Sequence, residues 1–396
     1  MGGVLNFDAG TGMIKGPIEY ASPQYWELKK HAISECQRLN LSFGMHNCPG
    51  WSSSGGPWVT PEYSMLEITW SETFINGGSS LKIQLPMPYH RKNFYQDVCI
   101  LAFPSLNGEL PLKNLLAKAT SNGNEINIEQ LENDPEGITV IGNENGREIY
   151  LQFEFKKPYK MTSLSFFMKS TDHIEEIKLE ASLDGIHFDK ITILDQKNEY
   201  ADNADKFSFR LIELKRQEMR YLRLATTQSQ NFSMFRFSEA EHLPGWKVKA
   251  NFVLGKTDVL SLYEVPQSSV IDPSAIINLT SQIDSEGNFV WNVPTGNWTI
   301  LRLGYTTKGT INRAAPNGAE GLEIDKYSKD AMDMHFAAMM KQLIPTMLPH
   351  AKNGKIFLEI DSWEVGLQNW TPKFCEEFHK RAGYDLMNYL PILTGR

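Results

Sequence analysis

The sequence predicts a mixed fold of the α/β plus all-β class, in which a partial (β/α)8 barrel is interrupted by an inserted β-sandwich. Three observations lead to this prediction. A strand–helix–strand pattern occupies residues 1–64, short alternating runs fill residues 65–305, and helix–strand order returns over residues 306–396. Alternating helices and strands are typical of parallel sheets, whereas runs of short strands separated by turn residues are typical of sandwiches.

The first 64 residues are assigned to the first part of the barrel. Residues 3–7 form a short apolar run that predicts a strand, and Ser22 followed by Pro23 is a typical helix start. Residues 41–46 predict the next strand. The helix between the two strands is indicated by apolar side chains at helical spacing: Tyr25, Leu28, Ala32, Ile33, Cys36 and Leu39.

The middle segment is assigned to the insert because it shows no long helical periodicity. Residues 177–183 alternate between apolar and polar side chains, and Asp184-Gly185 is a strong hairpin signal. The same alternation predicts two further strands, at residues 151–155 and 164–168. One sandwich is expected over about 140–235, and the flanking strands complete it or form a second one.

The last segment resumes the barrel pattern. Ser328 is placed to cap a helix that runs through Leu343, and residues 355–360 have the composition of a buried strand. Thr371-Pro372 predicts the start of another helix, which Gly383 ends. Only three or four of the eight strands of a barrel are recognisable. Because a barrel cannot close with half its strands, we expect the barrel to be truncated.

Composition excludes several classes of function. A formal net charge of −8 makes nucleic acid and anionic membranes poor partners. The four cysteines are far apart and indicate neither a disulfide framework nor a metal finger. The motifs GxSxG, HExxH and GxGxxG are absent. The sequence also shows no signal peptide and no apolar run of the roughly 20 residues that a membrane span needs.

The segment Leu358–Glu364 brings carboxylates to the C-terminal end of a strand, where barrel enzymes carry their catalytic groups. Side chains alternate along a strand, so Glu359 and Asp361 are expected on one face. Glycoside hydrolysis needs a carboxylic acid and a second carboxylate. Glu364 is the first candidate for the acid, and Trp363 is placed to desolvate it and raise its pKa. The alternative is a solvated or salt-bridged glutamate in a loop.

A segment rich in glycine and tryptophan, at residues 45–58, follows the second predicted strand. His46 and Asn47 can hydrogen-bond sugar hydroxyls, and the rings of Trp51 and Trp58 can stack on the apolar face of a pyranose. These residue types predict a sugar-binding pocket. The alternative is a structural turn whose tryptophans lie in the barrel core.

Two more segments carry candidate carboxylates. Asp8 ends the first strand and is a candidate for binding a substrate hydroxyl or a hard cation, with a capping or turn role as the alternative. Glu323 and Asp325 follow a loop rich in glycine, asparagine and proline and are candidates for lining the cleft. An ion-paired loop before a helix is the favoured alternative for this second pair.

A series of segments over nearly the whole chain carries a family resemblance: GGVLNFDAG, SPQYWELKKHA, NCPGWSSSGGPW, TPEYSM, PTGNWTILRLGYTT, GLEIDKYS, DSWEVGLQNWTPKF and GYDLMNYLPILTGR. Together and in this order they resemble glycoside hydrolase family 106, the α-L-rhamnosidase-like enzymes. The stretch LEASLDGIHFDKI, with MRYLRL, is similar to galactose-binding, discoidin-like sandwiches.

The resemblance implies a (β/α)8 catalytic barrel with β-sandwich insertions, and removal of terminal L-rhamnose from plant polysaccharides or glycosides with inversion. Glu364 matches the position of the general acid. Calcium is the implied cofactor, and a rhamnose-containing glycan is the implied partner. The resemblance also implies a bacterial enzyme that acts in the periplasm or outside the cell.

The resemblance further implies that both ends of the barrel lie outside this chain. The second catalytic glutamate of the family comes later in the barrel than Arg396, so we expect the isolated chain to have negligible rhamnosidase activity. His46-Asn47-Cys48 stands where the resemblance implies Asn-Asn-Gly, which leaves the sugar open. The alternatives are a carbohydrate-binding fragment without catalysis and a glycosidase of the same architecture that acts on another sugar.

Overall fold

The computed structural model describes residues 2–10, 14, 16–134, 137–140, 147–169, 176–194, 207–252, 265–316, 318–352, 355–363 and 365–396. This part of the chain has a mixed α/β, sheet-rich architecture with four sheets, none of which closes into a barrel.

The first helix, α1 (Pro23–Arg38), forms where the local signals predict it. The Ser22 hydroxyl accepts a hydrogen bond from the Tyr25 amide at 3.2 Å, and proline occupies the first turn, where its missing N–H costs nothing. The helix ends at Arg38, and Asn40 follows in the left-handed conformation with φ 61°. Its buried face packs against the parallel sheet through Tyr25, Trp26, Lys29, Ile33 and Cys36.

A three-stranded parallel sheet consists of β1 (Gly3–Asn6), β2 (Ser42–His46) and β17 (Ile356–Glu359), with β2 in the centre. Asn6 pairs with Met45, and Glu359 pairs with His46. The carboxyl ends of all three strands therefore lie at one edge of the sheet, although β17 comes more than 300 residues after β2. Residues that follow these strands meet at that edge.

The remaining strands are antiparallel. The largest sheet has the order β11-β10-β12-β9-β13-β8, with β6 and β7 beside β9. A second sheet has the order β14-β5-β16-β3, and β15 pairs with β4. The bounds are β3 Leu66–Asn76, β4 Ser80–Gln84, β5 Gln96–Pro104, β6 Leu116–Ser121, β7 Asn124–Glu125, β8 Ile138–Val140, β9 Ile149–Lys169, β10 Ile177–Ser182, β11 Asp189–Leu194, β12 Phe207–Thr226, β13 Gln230–Ser238, β14 Ile277–Asn278, β15 Asn288–Asn292 and β16 Asn297–Thr307.

The helices after α1 are mostly short. Their bounds are α2 Leu112–Leu115, α3 Ile128–Asn133, α4 Trp246–Lys249, α5 Lys329–Met340, α6 Ile344–Ala351 and α7 Phe374–Ala382, with 3-10 helices at Pro61–Tyr63, Gln267–Ser269, Pro273–Ala275, Thr280–Gln282 and Met387–Thr394. None of the described helices is long and apolar enough to cross a membrane.

Two strand predictions are corrected by the largest sheet. Residues 151–155 and 164–168 belong to the single strand β9, which stays continuous because register shifts on its partner β12 let the pair bend. The turn after β10 spans six residues rather than a two-residue hairpin. Oxygens of Ser182 and Asp184 accept backbone N–H groups of residues 184–187, which stabilises the longer loop.

Three predictions in the last segment are also corrected. The helix capped by Ser328 ends at Met340, three residues before the predicted end at Leu343, and a separate helix, α6, begins at Ile344 with Pro345 in its first turn. The helix expected at Thr371 starts at Phe374. The strand predicted over residues 355–360 is observed as β17 and is partly exposed, at Phe357 44% and Leu358 40%, and Ile360, just after it, is 62% exposed. Within the described residues β17 pairs only with β2, so its other edge is uncovered.

Candidate active site

The carboxyl ends of β2 and β17 bring His46 and Glu359 side by side. The two residues are register partners, and the Asn47 amide donates to the Glu359 carbonyl at 3.1 Å. His46 is 3% exposed, and the Phe7 ring lies 4.5 Å from its own, centroid to centroid. The predicted strand end is therefore a packed edge of the sheet, where the buried His46 imidazole lies beside the strand that carries Glu359.

The contacts of His46 fix which of its ring nitrogens carries the proton in the neutral form. Nδ1 lies 2.5 Å from the Cys48 carbonyl oxygen, which can only accept, so Nδ1 is the donor. Nε2 is buried, has no hydrogen-bond partner among the described residues and lies 3.3 Å from Glu359 Oε2. Within the same residues Glu359 Oε2 has no hydrogen-bond partner either. Two unsatisfied acceptors thus face each other at the sheet edge.

Asp361 completes a cluster with these two residues. One ligand atom from each of His46, Glu359 and Asp361 lies within 4.8 Å of the others, and no other group of this kind occurs in the part of the chain that the structure describes. Glu359 and Asp361 thus lie near each other, two residues apart along the strand end. Calcium fits the set poorly, because it takes 6–8 oxygen ligands and the cluster offers two carboxylates and an imidazole.

Glu323 is buried and ion-paired, and its predicted contact with substrate stays a prediction. Its side chain is completely buried and forms an ion pair with Lys326 at 2.6 Å. The Ser54 hydroxyl donates to the same carboxylate at 2.9 Å. Lys326 also donates to Ser53 Oγ at 3.0 Å and to Ser54 Oγ. This segment is therefore ion-paired, as the alternative interpretation expected. The Lys326 ammonium group also links the segment to the loop after β2 through Ser53 and Ser54.

Asp325 is likewise directed into the scaffold. Its carboxylate accepts from the Thr371 hydroxyl at 2.7 Å and from the Gln368 side chain. Burial raises the pKa of the Asp325 carboxyl, and these hydrogen bonds oppose the rise. The residue therefore ties the loop before α5 to the segment before α7.

Asp8 forms an ion pair instead of presenting a free carboxylate. Lys29 Nζ lies 2.8 Å from Asp8 Oδ2, and the Tyr25 hydroxyl donates to the same oxygen at 2.7 Å. Burial lowers the pKa of the Lys29 ammonium, and the charge of Asp8 opposes this shift. The residue anchors the end of β1 to α1, and a contact with substrate stays a prediction.

The two tryptophans of the loop after β2 differ in their surroundings. Trp51 is 44% exposed and lies against Phe7 with ring centroids 4.6 Å apart. Trp58 is half-buried, and its indole N–H donates to His335 Nδ1 at 3.1 Å. Trp51 therefore offers the more exposed ring of the two, and a contact of Trp58 with substrate stays a prediction.

Asn47, the other polar residue of this loop, is buried. Its side-chain amide donates to the Ser53 carbonyl at 2.7 Å, and its side-chain oxygen has no hydrogen-bond partner in the part of the chain that the structure describes. The amide group thus holds the loop in shape. Its role in binding a sugar hydroxyl stays a prediction.

Lys326 and His335 are site residues that the sequence did not single out. The Lys326 ammonium lies 5.4 Å from the centroid of the Trp363 ring, which is 47% exposed. Burial, and then the charge of Lys326, lower the pKa of His335 to about 4. The spacing of Glu323 and Lys326, three residues apart, was the one available signal for the lysine. Glu364 lies outside the described residues.

The profile of glycoside hydrolase family 106, alpha-L-rhamnosidase, matches residues 1–396. A Formosa agariphila protein named "Putative beta-glucuronidase" is 27% identical over 389 residues, 98% of this chain and 22% of that protein. The structure of a rhamnosidase from Novosphingobium sp. PP1Y is 28% identical with a TM-score of 0.72, over 99% of this chain and 38% of that one. The chain thus spans well under half the length of both.

A carbohydrate-binding module of the CBM32 type from Clostridium perfringens, in complex with GalNAc-beta-1,3-galactose, covers 33% of this chain at 17% identity. Its TM-score of 0.25 is too low to establish a shared fold. The discoidin-like sandwich over about 140–235 therefore stays a prediction.

Proposed function

The chain belongs to glycoside hydrolase family 106, alpha-L-rhamnosidase, and from this premise we propose that the whole enzyme hydrolyses terminal α-L-rhamnose from plant polysaccharides or glycosides. The family match over residues 1–396 is the observation that carries the proposal. The similarity to a solved rhamnosidase, at a TM-score of 0.72, supports it. The substrate is then a carbohydrate, and the place of action is the periplasm or the cell exterior.

The proposal includes the finer architecture. The parallel sheet of β1, β2 and β17 is taken as part of a (β/α)8 barrel, with residues 1–64 and 306–396 on either side of a sandwich insert at 65–305. The aligned carboxyl ends of the three strands support this assignment, because barrel enzymes build their active sites at that end.

The proposed mechanism is inverting acid–base hydrolysis. Glu364 follows β17 by five residues and protonates the leaving oxygen, while Trp363 keeps water away from it. A second carboxylate activates water on the opposite face of the sugar ring. We do not assign that base to a described residue, because Glu323 is ion-paired and Glu359 and Asp361 share one cluster with His46.

Substrate contacts are proposed at the exposed parts of this edge. The rings of Trp51 and Trp363, 44% and 47% exposed, can stack on a sugar, and Asp361 can accept from a hydroxyl. Calcium remains part of the proposal only for the whole enzyme.

One observation favours a second candidate substrate. The relative from Formosa agariphila bears the name of a β-glucuronidase, and it matches 98% of this chain. A β-D-glucuronide carries a carboxylate at C5 where an α-L-rhamnoside carries a methyl group, and the two sugars also differ in the configuration of their ring carbons. The same acid–base chemistry would serve either sugar.

A direct comparison of aryl glycosides tests the proposal. With the whole enzyme, we expect kcat/KM for an aryl α-L-rhamnoside to exceed that for the matching aryl β-D-glucuronide by at least about 100-fold. A site that binds rhamnose needs no group to pair with the glucuronide carboxylate, and burying that carboxylate unpaired costs free energy. The reverse preference would replace rhamnose by glucuronic acid. Turnover of neither substrate would contradict the proposed activity.

A further inference from the structure

We propose that His46, Glu359 and Asp361 form a binding site for a divalent cation of the zinc and cobalt class in preference to calcium. The three residues offer one nitrogen and two carboxylate ligands within 4.8 Å of one another. This set matches the His and carboxylate ligands of catalytic zinc sites, which use three protein ligands and leave one position open. The inference concerns the cation alone and does not depend on which sugar the enzyme cleaves.

The orientation of His46 is the first argument. In metal sites the ligating histidine usually donates its other ring N–H to a carbonyl or carboxylate, which fixes the tautomer. His46 has this arrangement, because its Nδ1 faces the Cys48 carbonyl oxygen at 2.5 Å. Its lone pair on Nε2 is thereby directed at the carboxylates. Nε2 is buried and has no hydrogen-bond partner among the described residues, so its lone pair is available to a metal ion.

The distance between the facing acceptors is the second argument. His46 Nε2 and Glu359 Oε2 lie 3.3 Å apart. Two ligands bonded to zinc at about 2.0–2.1 Å in tetrahedral geometry lie about 3.3–3.4 Å apart. The two atoms repel each other when neither carries a proton, and a cation between them removes the repulsion. The unsatisfied oxygen of Glu359 is explained by the same ion.

The choice of cation follows from the types of ligand atom that the three residues offer. Calcium prefers oxygen, whereas imidazole suits zinc, cobalt and related ions, whose affinity for mixed nitrogen and oxygen sites exceeds that of manganese. The Cys48 thiol is not a fourth ligand, because it donates to the Ser52 carbonyl at 2.8 Å and burial raises its pKa. Glu359 and Asp361 are partly exposed, so the open position faces solvent.

An imidazolium–carboxylate ion pair between His46 and Glu359 is the competing explanation. It would place a second proton on the ring and would need no cation. A binding experiment separates the two explanations, because the ion pair predicts no saturable uptake of zinc or cobalt at these residues.

The test uses the 396-residue chain after treatment with a chelator, at pH 7.5. Calorimetric titrations with Zn²⁺, Mn²⁺ and Ca²⁺ give the affinities, and the visible absorption of added Co²⁺ reports its coordination. We expect one equivalent of Zn²⁺ to bind at least about 100-fold more tightly than Ca²⁺, with Mn²⁺ between them. Tighter binding of Ca²⁺ than of Zn²⁺, or no binding of Zn²⁺ and Co²⁺, would overturn the proposal.

Variants locate the ion. His46→Ala and Asp361→Asn should each weaken Zn²⁺ binding by about 100-fold or more, since loss of even outer partners costs 10–100-fold. His379→Ala is the matched control, because His379 is exposed on α7. Asp361 is partly exposed, so its variant stays informative if the buried His46→Ala protein does not fold. Unchanged Zn²⁺ affinity in the Asp361 variant would place the ion elsewhere and contradict the assignment.

Discussion

At the scale of single residues, the candidate site is organised by buried charges that each have one oppositely charged partner. The Glu323 side chain is completely buried and the Lys326 side chain is 8% exposed. The charge of each residue is therefore offset mainly by the opposite charge of the other. A buried ion pair is weak evidence for stability as a whole, but loss of one partner leaves an uncompensated charge in a medium of low dielectric constant.

The first prediction concerns this pair. Lys326→Met should lower the free energy of unfolding by about 3–5 kcal/mol, because it leaves the buried Glu323 carboxylate without an oppositely charged partner. The double variant Lys326→Met with Glu323→Gln should recover at least half of the loss, since it removes both charges. Urea denaturation of the three proteins measures the effect. A double variant less stable than the single one would show that the two residues do not depend on each other.

The second prediction concerns pH and His335. Its pKa in the folded protein, about 4, lies below the ordinary value of 6.5, because burial and then Lys326 disfavour the charged ring. The unfolded chain therefore binds the proton first as the pH falls. The stabilisation by neutral His335 is complete above about pH 6.5 and is lost towards pH 4, by about 3 kcal/mol in total.

Urea denaturation between pH 7.5 and 4.5 tests this dependence. His335→Gln should be less stable at pH 7.5, because glutamine replaces the buried imidazole ring that accepts from Trp58, and its stability should fall less steeply with acid than that of the parent. His379→Asn, on the exposed face of α7, is the control and should keep the parent slope. Equal slopes for His335→Gln and the parent would contradict the assigned protonation.

Sequence reasoning at this scale succeeded where the pattern is local. Strand alternation predicted that Glu359 and Asp361 share a face, and their oxygens indeed lie close together. It could not find the partners of Glu323 or Trp58, because Ser54 is 269 residues from the first and His335 is 277 residues from the second. Such contacts depend on the tertiary fold.

At the scale of elements, the loop after β2 and the segment before α5 touch through their backbones. Gly56 pairs with Leu322 in an isolated antiparallel bridge, and a Cβ added at Gly321 would lie 1.9 Å from the Gly56 carbonyl oxygen. Backbone atoms cannot move aside as a flexible side chain can. This contact holds the loop against the segment that carries Glu323.

The third prediction follows from that contact. Gly321→Ala should lower the free energy of unfolding by about 1–3 kcal/mol or more, as overpacking does in a closed environment. Gly16→Ala is the matched control, because nothing lies within 4 Å of its Cβ position, and it should change stability by less than about 0.5 kcal/mol. Thermal unfolding of both variants gives the answer. Equal stability of the two proteins would mean that the backbones can separate freely.

Elements were predicted well where capping and turn residues act locally. The start of α1 at Pro23 and the end of α7 at Gly383 are both confirmed. The continuity of β9 was missed, because its bend depends on register shifts in β12, more than 50 residues later. Exposure of β17 was missed for a related reason, since composition does not reveal how many neighbours a strand has.

At the scale of the whole molecule, the sequence correctly predicted a chain that returns to its first sheet. β17 pairs with β2 after the long antiparallel region, as the renewed helix–strand order indicated. The division into barrel segments and a sandwich insert stays a prediction. Two-residue and helical periodicities identify elements, but they do not specify how separate sheets are arranged around one another.

The central claim is that this family member acts as a glycosidase with Glu364 as its general acid. The most direct measurement compares kcat/KM for a natural rhamnose-containing oligosaccharide and for an activated aryl α-L-rhamnoside, in the whole enzyme and in its folded Glu364→Gln variant. Glutamine keeps the shape but cannot donate the proton. We predict a loss of about 100-fold or more on the oligosaccharide and a much smaller loss on the activated substrate, whose leaving group needs no protonation. Equal losses on both substrates would contradict the acid role and leave Asp361 as the next candidate.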